Sequence, residues 1–235
     1  LGDTSCIATY TFDGSSTDLS GNYNGTDTNI LYRYDGTPTA VDFGVGGKSL
    51  YGARFNGSSS RIQISSTPTV PLDVSSGNFS ISMWVNPSNL TNNNKLIYKW
   101  GTSATLRSWL ATITTSGVLY VVEGTTAGDT LMLGTAAIST NVWTHIAITR
   151  TQGGNLVQYI NGVATNTFST QNRSLKTSTE PLYIGYQAGQ TTNFTGSIDQ
   201  VRIFDKAISA AEVSKLYGNG AGEIACAYTS TTDNI

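Results

Sequence analysis

The chain has 235 residues, enough for one large all-β domain or two small ones, and only 12% of them are charged, against roughly 25% in ordinary soluble proteins. A net charge of −2 with no run of Lys or Arg argues against nucleic acid or an acidic membrane surface as partner. No apolar stretch approaches the ~20 residues that cross a bilayer, so solubility rests on abundant Ser, Thr, Asn and Gly. The opening "LGDTSC" holds neither Met nor a signal peptide and reads as a processed product or an excised piece.

In chain order, "CIATYTF" alternates as a strand with Cys6 on the side of Ala8, Tyr10 and Phe12. The polar turn "FDGSSTDLSGN" follows, and then "ILYRYDG", which carries Tyr32 and Tyr34. "SRIQIS", "FSISMWVN" and "KLIYKW" are further strand runs, with "NPSNLTNNN" a polar loop between the last two. "GTSATLRS" reads as a loop flanked by Trp100 and Trp109. After "GVLYVV", the run "THIAITRTQGGNLVQYINGVATN" predicts a three-stranded meander from about Trp143 to Phe168, turned at Gly153-Gly154 and Asn161-Gly162. "PLYIGY" leads to Tyr186 in "GYQAGQTTN". "SIDQVRIF" is a strand that places Asp199 on one side with Val201 and Ile203, where a lone charge is costly unless paired.

"SAAEVSKLY" is the single helix, opened by a Ser209/Glu212 capping box and stopped near Gly218. The tail beyond it alternates again through Cys226 and is either an edge strand or the lead into another module. Cys6 and Cys226 both read as inward-facing. They form either a disulfide closing almost the whole chain, worth on the order of 5 kcal/mol, or two buried reduced thiols. Closely spaced strands with turn residues between them predict a β-sandwich or barrel in one domain over 1–217, with 218–235 as tail.

Catalytic signatures are missing. The four glutamates, Glu123, Glu180, Glu212 and Glu223, stand apart, with no Glu-x-Asp or Glu-x-Glu pair to serve as nucleophile and acid in glycoside hydrolysis. The single histidine, His145, lacks a nearby Tyr, Lys or carboxylate signature and reads as a hydrogen-bonded structural residue rather than a base.

As a set, "FSISMWVNP", "KLIYKWG", "WTHIAITRTQGGNLVQYINGV", "LYIGY" and "GSIDQVRIFDKAISAAEVSKLY" resemble laminin-G-like domains of the concanavalin A-like superfamily, from about Ala8 to Tyr217. The overall style is also similar to modules of tailed-phage virion proteins. The resemblance implies an all-β, two-sheet antiparallel jelly-roll sandwich with one concave sheet and one short C-terminal helix. It further implies a structural calcium held by an aspartate of the last long strand and by N-terminal oxygens, here Asp199 and Asp18 with Asp13 and Asn22. The competing reading of Asp18 is a carboxylate that caps a turn.

The expected function is non-enzymatic adhesion or glycan recognition on a virion or cell surface, through Trp100, Trp109, Tyr32, Tyr34 and Tyr186. The alternative is a capsid-decoration or fibre module that binds its own assembly as a homo-oligomer.

Overall fold

A computed structural model describes residues 4–33, 51–65, 72, 74 and 77–218. Its strands are β1 (Cys6–Tyr10), β2 (Gly25–Thr28), β3 (Leu31–Arg33), β4 (Gly52–Asn56), β5 (Arg61–Ile64), β6 (Phe79–Pro87), β7 (Asn94–Trp100) and β8 (Arg107–Ile113). Then follow β9 (Val118–Thr125), β10 (Gly128–Ala137), β11 (Thr144–Arg150), β12 (Asn155–Ile160), β13 (Val163–Ser169), β14 (Leu182–Ile184), β15 (Thr195–Phe204) and the helix α1 (Ala210–Gly218). Among the described residues every strand pairing is antiparallel. One sheet runs β13-β12-β11-β6-β15-β4-β3, with β1 also on β15; the other runs β10-β9-β8-β7-β14-β5-β2.

The predicted meander is β11–β13. Asn161 and Gly162 turn its second hairpin at φ 49° and 78°, the positive values that Asn-Gly tolerates. A Cβ on Gly162 would stand 2.8 Å from the Tyr217 ring of α1, so glycine serves there for space as well as for φ.

The main core fills the space between the sheets. Ile81, Met83 and Val85 of β6, Ile146 and Ile148 of β11, and Ile198, Val201 and Ile203 of β15 meet Ile97, Trp109, Ala111, Leu119 and Val121 of the opposite sheet. Alternate residues of the same strands point outward. The outward side of the eight-stranded sheet is covered by α1, whose Val213 packs with Ile208 over Cys6, Ala147, Tyr159 and Phe204.

Two bulges overturn face assignments made from strict alternation. In β15, register slips between Asp199 and Arg202 and Gln200 takes φ 49°. Ile198, not Asp199, therefore shares the core side with Val201 and Ile203, and Asp199 faces outward beside Trp84. In β1 the slip falls between Cys6 and Ala8, so Cys6 leaves the side of Ala8 and Tyr10 and joins the cluster under α1. Cys226 lies outside the described residues, as does the tail that carries it.

Candidate functional site

The outward face of the seven-stranded sheet carries a group of part-exposed aromatics. Antiparallel register places Gln63, Tyr183, Tyr98, Leu110, Val122 and Leu131 in one row across β5, β14, β7, β8, β9 and β10. A parallel row runs Lys95, Thr112, Tyr120, Leu133. Each tyrosine stands out because its flanking aliphatic residues point into the core: Ile97 beside Tyr98, Leu119 and Val121 beside Tyr120, Leu182 and Ile184 beside Tyr183.

Tyr98, Leu110 and Val122 form the floor, buried under half-exposed Trp100, Tyr120 and Tyr183. Tyr186 meets Tyr183 edge to face with ring centroids 5.5 Å apart, and Arg61 lies 5.3 Å over the Tyr186 ring. Arg107 lies 5.5 Å over Trp100 while its Nη1 donates to Asp129 at 2.8 Å.

Burial raises the Tyr98 phenol, and the Thr112 hydroxyl beside it acts the other way. Burial also raises Tyr183, against the opposing pull of Arg61. These phenols are hydrogen-bond donors at neutral pH. Rigid aromatic faces with guanidinium, amide and hydroxyl groups at their margins are the materials of a sugar-contact surface.

The predicted aromatic residues divide. Trp100 and Tyr186 lie on this face. Trp109 does not: it is 1% exposed and stacks on Phe79 with centroids 5.4 Å apart, because "RSWLATI" is the strand β8 rather than the margin of a loop. Tyr32 packs against Phe12 and donates to Asp27 Oδ2 at 2.7 Å; it braces the N-terminal segment. Tyr34 lies outside the described residues. Sequence reading missed Tyr98, Tyr120 and Tyr183, whose signal is a tyrosine set between aliphatic residues in "LIYK", "VLYVV" and "PLYIG".

His145 is sealed. Its Nε2 meets Ser82 Oγ at 2.8 Å, its ring lies against both Trp84 and Tyr217, which stack on each other, and burial, with Arg202 adding to it, pushes its pKa down to about 3. A neutral imidazole closed under α1 has no access to a substrate.

Glu123 is paired rather than alone. It crosses between the sheets to Arg150, whose Nε donates to Oε1 at 2.6 Å and Nη2 to Oε2 at 3.4 Å. The rest of the guanidinium is satisfied by the carbonyls of Arg173 at 2.7 Å and Gly77, as a buried charge requires.

The residues expected to hold calcium are placed apart in role. Asp18 is 1% exposed. Its Oδ1 accepts the N–H of Thr9 at 2.8 Å and of Ser20 at 3.2 Å, and its Oδ2 accepts the N–H of Tyr23 at 3.1 Å and the Ser20 hydroxyl. A carboxylate surrounded by donors organises a turn. Asp13 and Asn22 are exposed, and Asp199 accepts the Gln200 N–H at 2.7 Å. Among the described residues no three His, Cys, Asp or Glu side chains converge into a metal-holding group.

The comparisons with known proteins agree with the sandwich. A family model described as the concanavalin A-like lectin/glucanases superfamily matches residues 55–214. The chain is 24% identical over 182 residues to a botulinum-like toxin, eBoNT/J, of Enterococcus sp. (strain 3G1_DIV0629), using 74% of this chain and spanning 14% of the toxin.

Among solved structures, domain 4 of AbnA, a GH43 extracellular arabinanase from Geobacillus stearothermophilus in complex with arabinotriose, matches with TM-score 0.65 and 22% identity, over 90% of this chain and 98% of that domain. The binding domain of Paraclostridial Mosquitocidal Protein 1 matches with TM-score 0.70 and 19% identity, over 91% of this chain and 52% of that one. The binding domain of botulinum neurotoxin serotype G matches with TM-score 0.66 and 21% identity, over 90% and 50% respectively. At such identities these structures speak to the fold. The family match is the stronger finding, since it takes in both sheets from β5 to β15 and most of α1: the chain belongs to the concanavalin A-like lectin/glucanases superfamily.

Proposed function

We propose that the chain is a non-catalytic glycan-binding module acting at an extracellular surface, with the outward face of the seven-stranded sheet as its contact surface. One observation carries this reading: Trp100, Tyr120, Tyr183 and Tyr186 stand half-exposed on a rigid sheet beside Arg61 and Gln63. Glu123 is engaged by Arg150 and Glu212 in the helix cap. Support also comes from a structural relative described as an arabinanase domain in complex with arabinotriose and from others described as binding domains of toxins.

The test is a glycan array followed by titration calorimetry. Tyr186→Ala and Trp100→Ala are each expected to weaken binding about tenfold or more while leaving stability within ~0.5 kcal/mol. Trp109→Ala instead destabilises the fold by about 3–5 kcal/mol through the cavity it leaves. Turnover of any bound polysaccharide, or unchanged affinity in both face variants, contradicts the proposal.

A second reading, an assembly module of a virion, capsid or fibre, is favoured by Leu131 and Leu133, exposed 64% and 53% on that same sheet face. Mass photometry separates the two: a stable homo-oligomer without glycan affinity supports assembly.

A further inference from the structure

Among the described residues, Lys95 on this face has neither a counter-charge nor a hydrogen-bond partner. It is 8% exposed and sits in the row with Thr112 and Tyr120. Arg107 has Asp129 and Arg61 lies over the Tyr186 ring, while Lys99, opposite core-facing Trp109, donates to the Glu180 carbonyl at 2.6 Å. For Lys95 there is no such bond: it is not among the residues holding further partners, and burial alone acts on its ammonium, lowering its pKa. Neither the row of Lys95 nor the row of Tyr98 contains a carboxylate; Asp129 stands beside Arg107 and Glu180 near Tyr183.

A buried cation with no partner carries a desolvation cost that the native contacts do not offset. Lys95 Nζ is absent from the sealed atoms that lack a partner, so the tip of the side chain keeps access to solvent. Its register neighbour Thr112 donates its hydroxyl to the Asn94 carbonyl at 2.7 Å and acts on the Tyr98 phenol, so hydroxyl-bearing side chains share this part of the face.

Resting on the glycan-binding reading of this face, we infer that its ligand is an acidic sugar, one whose ring carboxylate pairs with Lys95 while its apolar face lies on the neighbouring tyrosines. Uronic acids and sialic acids present the same carboxylate on a pyranose ring, and the experiment separates them. A charge-assisted hydrogen bond in a partly desolvated site is worth about ten- to a hundredfold in affinity.

Trigalacturonate is titrated against its fully methyl-esterified form, and 3′-sialyllactose against lactose. The expected result is at least about tenfold tighter binding of the acid in one of the two pairs. In Lys95→Met the buried stem is kept, and the preference is expected to vanish without loss of thermal stability; in Lys95→Arg it is expected to persist. Equal affinity of acid and neutral partner in both pairs overturns this inference and leaves glycan binding standing. Absence of binding to every sugar tested overturns the glycan-binding reading itself. Should Lys95→Met fail to fold, the comparison of acid with ester on the unaltered protein decides alone.

Discussion

A protonated His145 has no place in the folded protein. Its folded pKa of about 3 lies below the ordinary 6.5 because burial, with Arg202 adding to it, disfavours the imidazolium. Between those values the unfolded chain takes up a proton that the native state refuses. The contribution is therefore fully present above pH 6.5 and is lost as pH falls toward 3. Urea-unfolding free energies across that window are expected to fall more steeply for the unaltered protein than for His145→Gln, whose side chain cannot charge; parallel curves would sink the idea. The same residue shows what sequence could and could not say. A structural, hydrogen-bonded role was legible from the lack of a catalytic neighbour, but the Ser82 contact and the Tyr217 cover depend on strand pairing and on the path of α1.

Among elements, α1 follows most directly from its residues. Ser209 Oγ accepts the Glu212 N–H at 3.3 Å, and Glu212 Oε2 accepts the Ser209 N–H at 2.6 Å, which is the reciprocal capping box expected from sequence. Burial pushes the Glu212 carboxyl up, yet the Ser209 N–H and the Lys206 and Ser209 side chains pull it below the usual carboxylate value. Ser209→Ala is expected to cost about 1 kcal/mol, read from the shift in the urea midpoint at unchanged slope. Strands with clean aliphatic runs, such as β6 and β11, were equally legible. β10 was not, because Leu131 and Leu133 point to solvent and only Met132 between them is buried, which inverts the usual pattern. The bulges at Ile7 and Gln200 were invisible for a different reason: one extra residue changes the face of everything beyond it and leaves no mark in composition.

For the whole molecule, the two-layer sandwich could be read from strand spacing and turn chemistry, whereas the candidate face could not. That face is assembled from β5, β14, β7, β8 and β9, neighbours only after pairing, so Lys95 and Tyr120 are separated in sequence yet share one row, two strands apart. Chain closure remains a proposal. Among the described residues no cysteine is a free thiol, and a Cys6–Cys226 bridge is expected to leave the native protein unlabelled by iodoacetamide until a reductant is added. Dialysis against EDTA is expected to leave the melting temperature unchanged in the same sample, since Asp18 already has its donors; a fall of several degrees would restore calcium to the N-terminal turn.

The edge of the sandwich at β10 decides how the molecule behaves in a crowded solution. Gln158 Nε2 donates to the Met132 carbonyl at 3.0 Å, and the Thr135 N–H donates to Asn166 Oδ1 at 3.0 Å, both from the opposite sheet. Those backbone groups would otherwise template a foreign strand. With two amides standing guard, concentrated stocks should cluster reversibly through leucine side chains and resist conversion to fibrils.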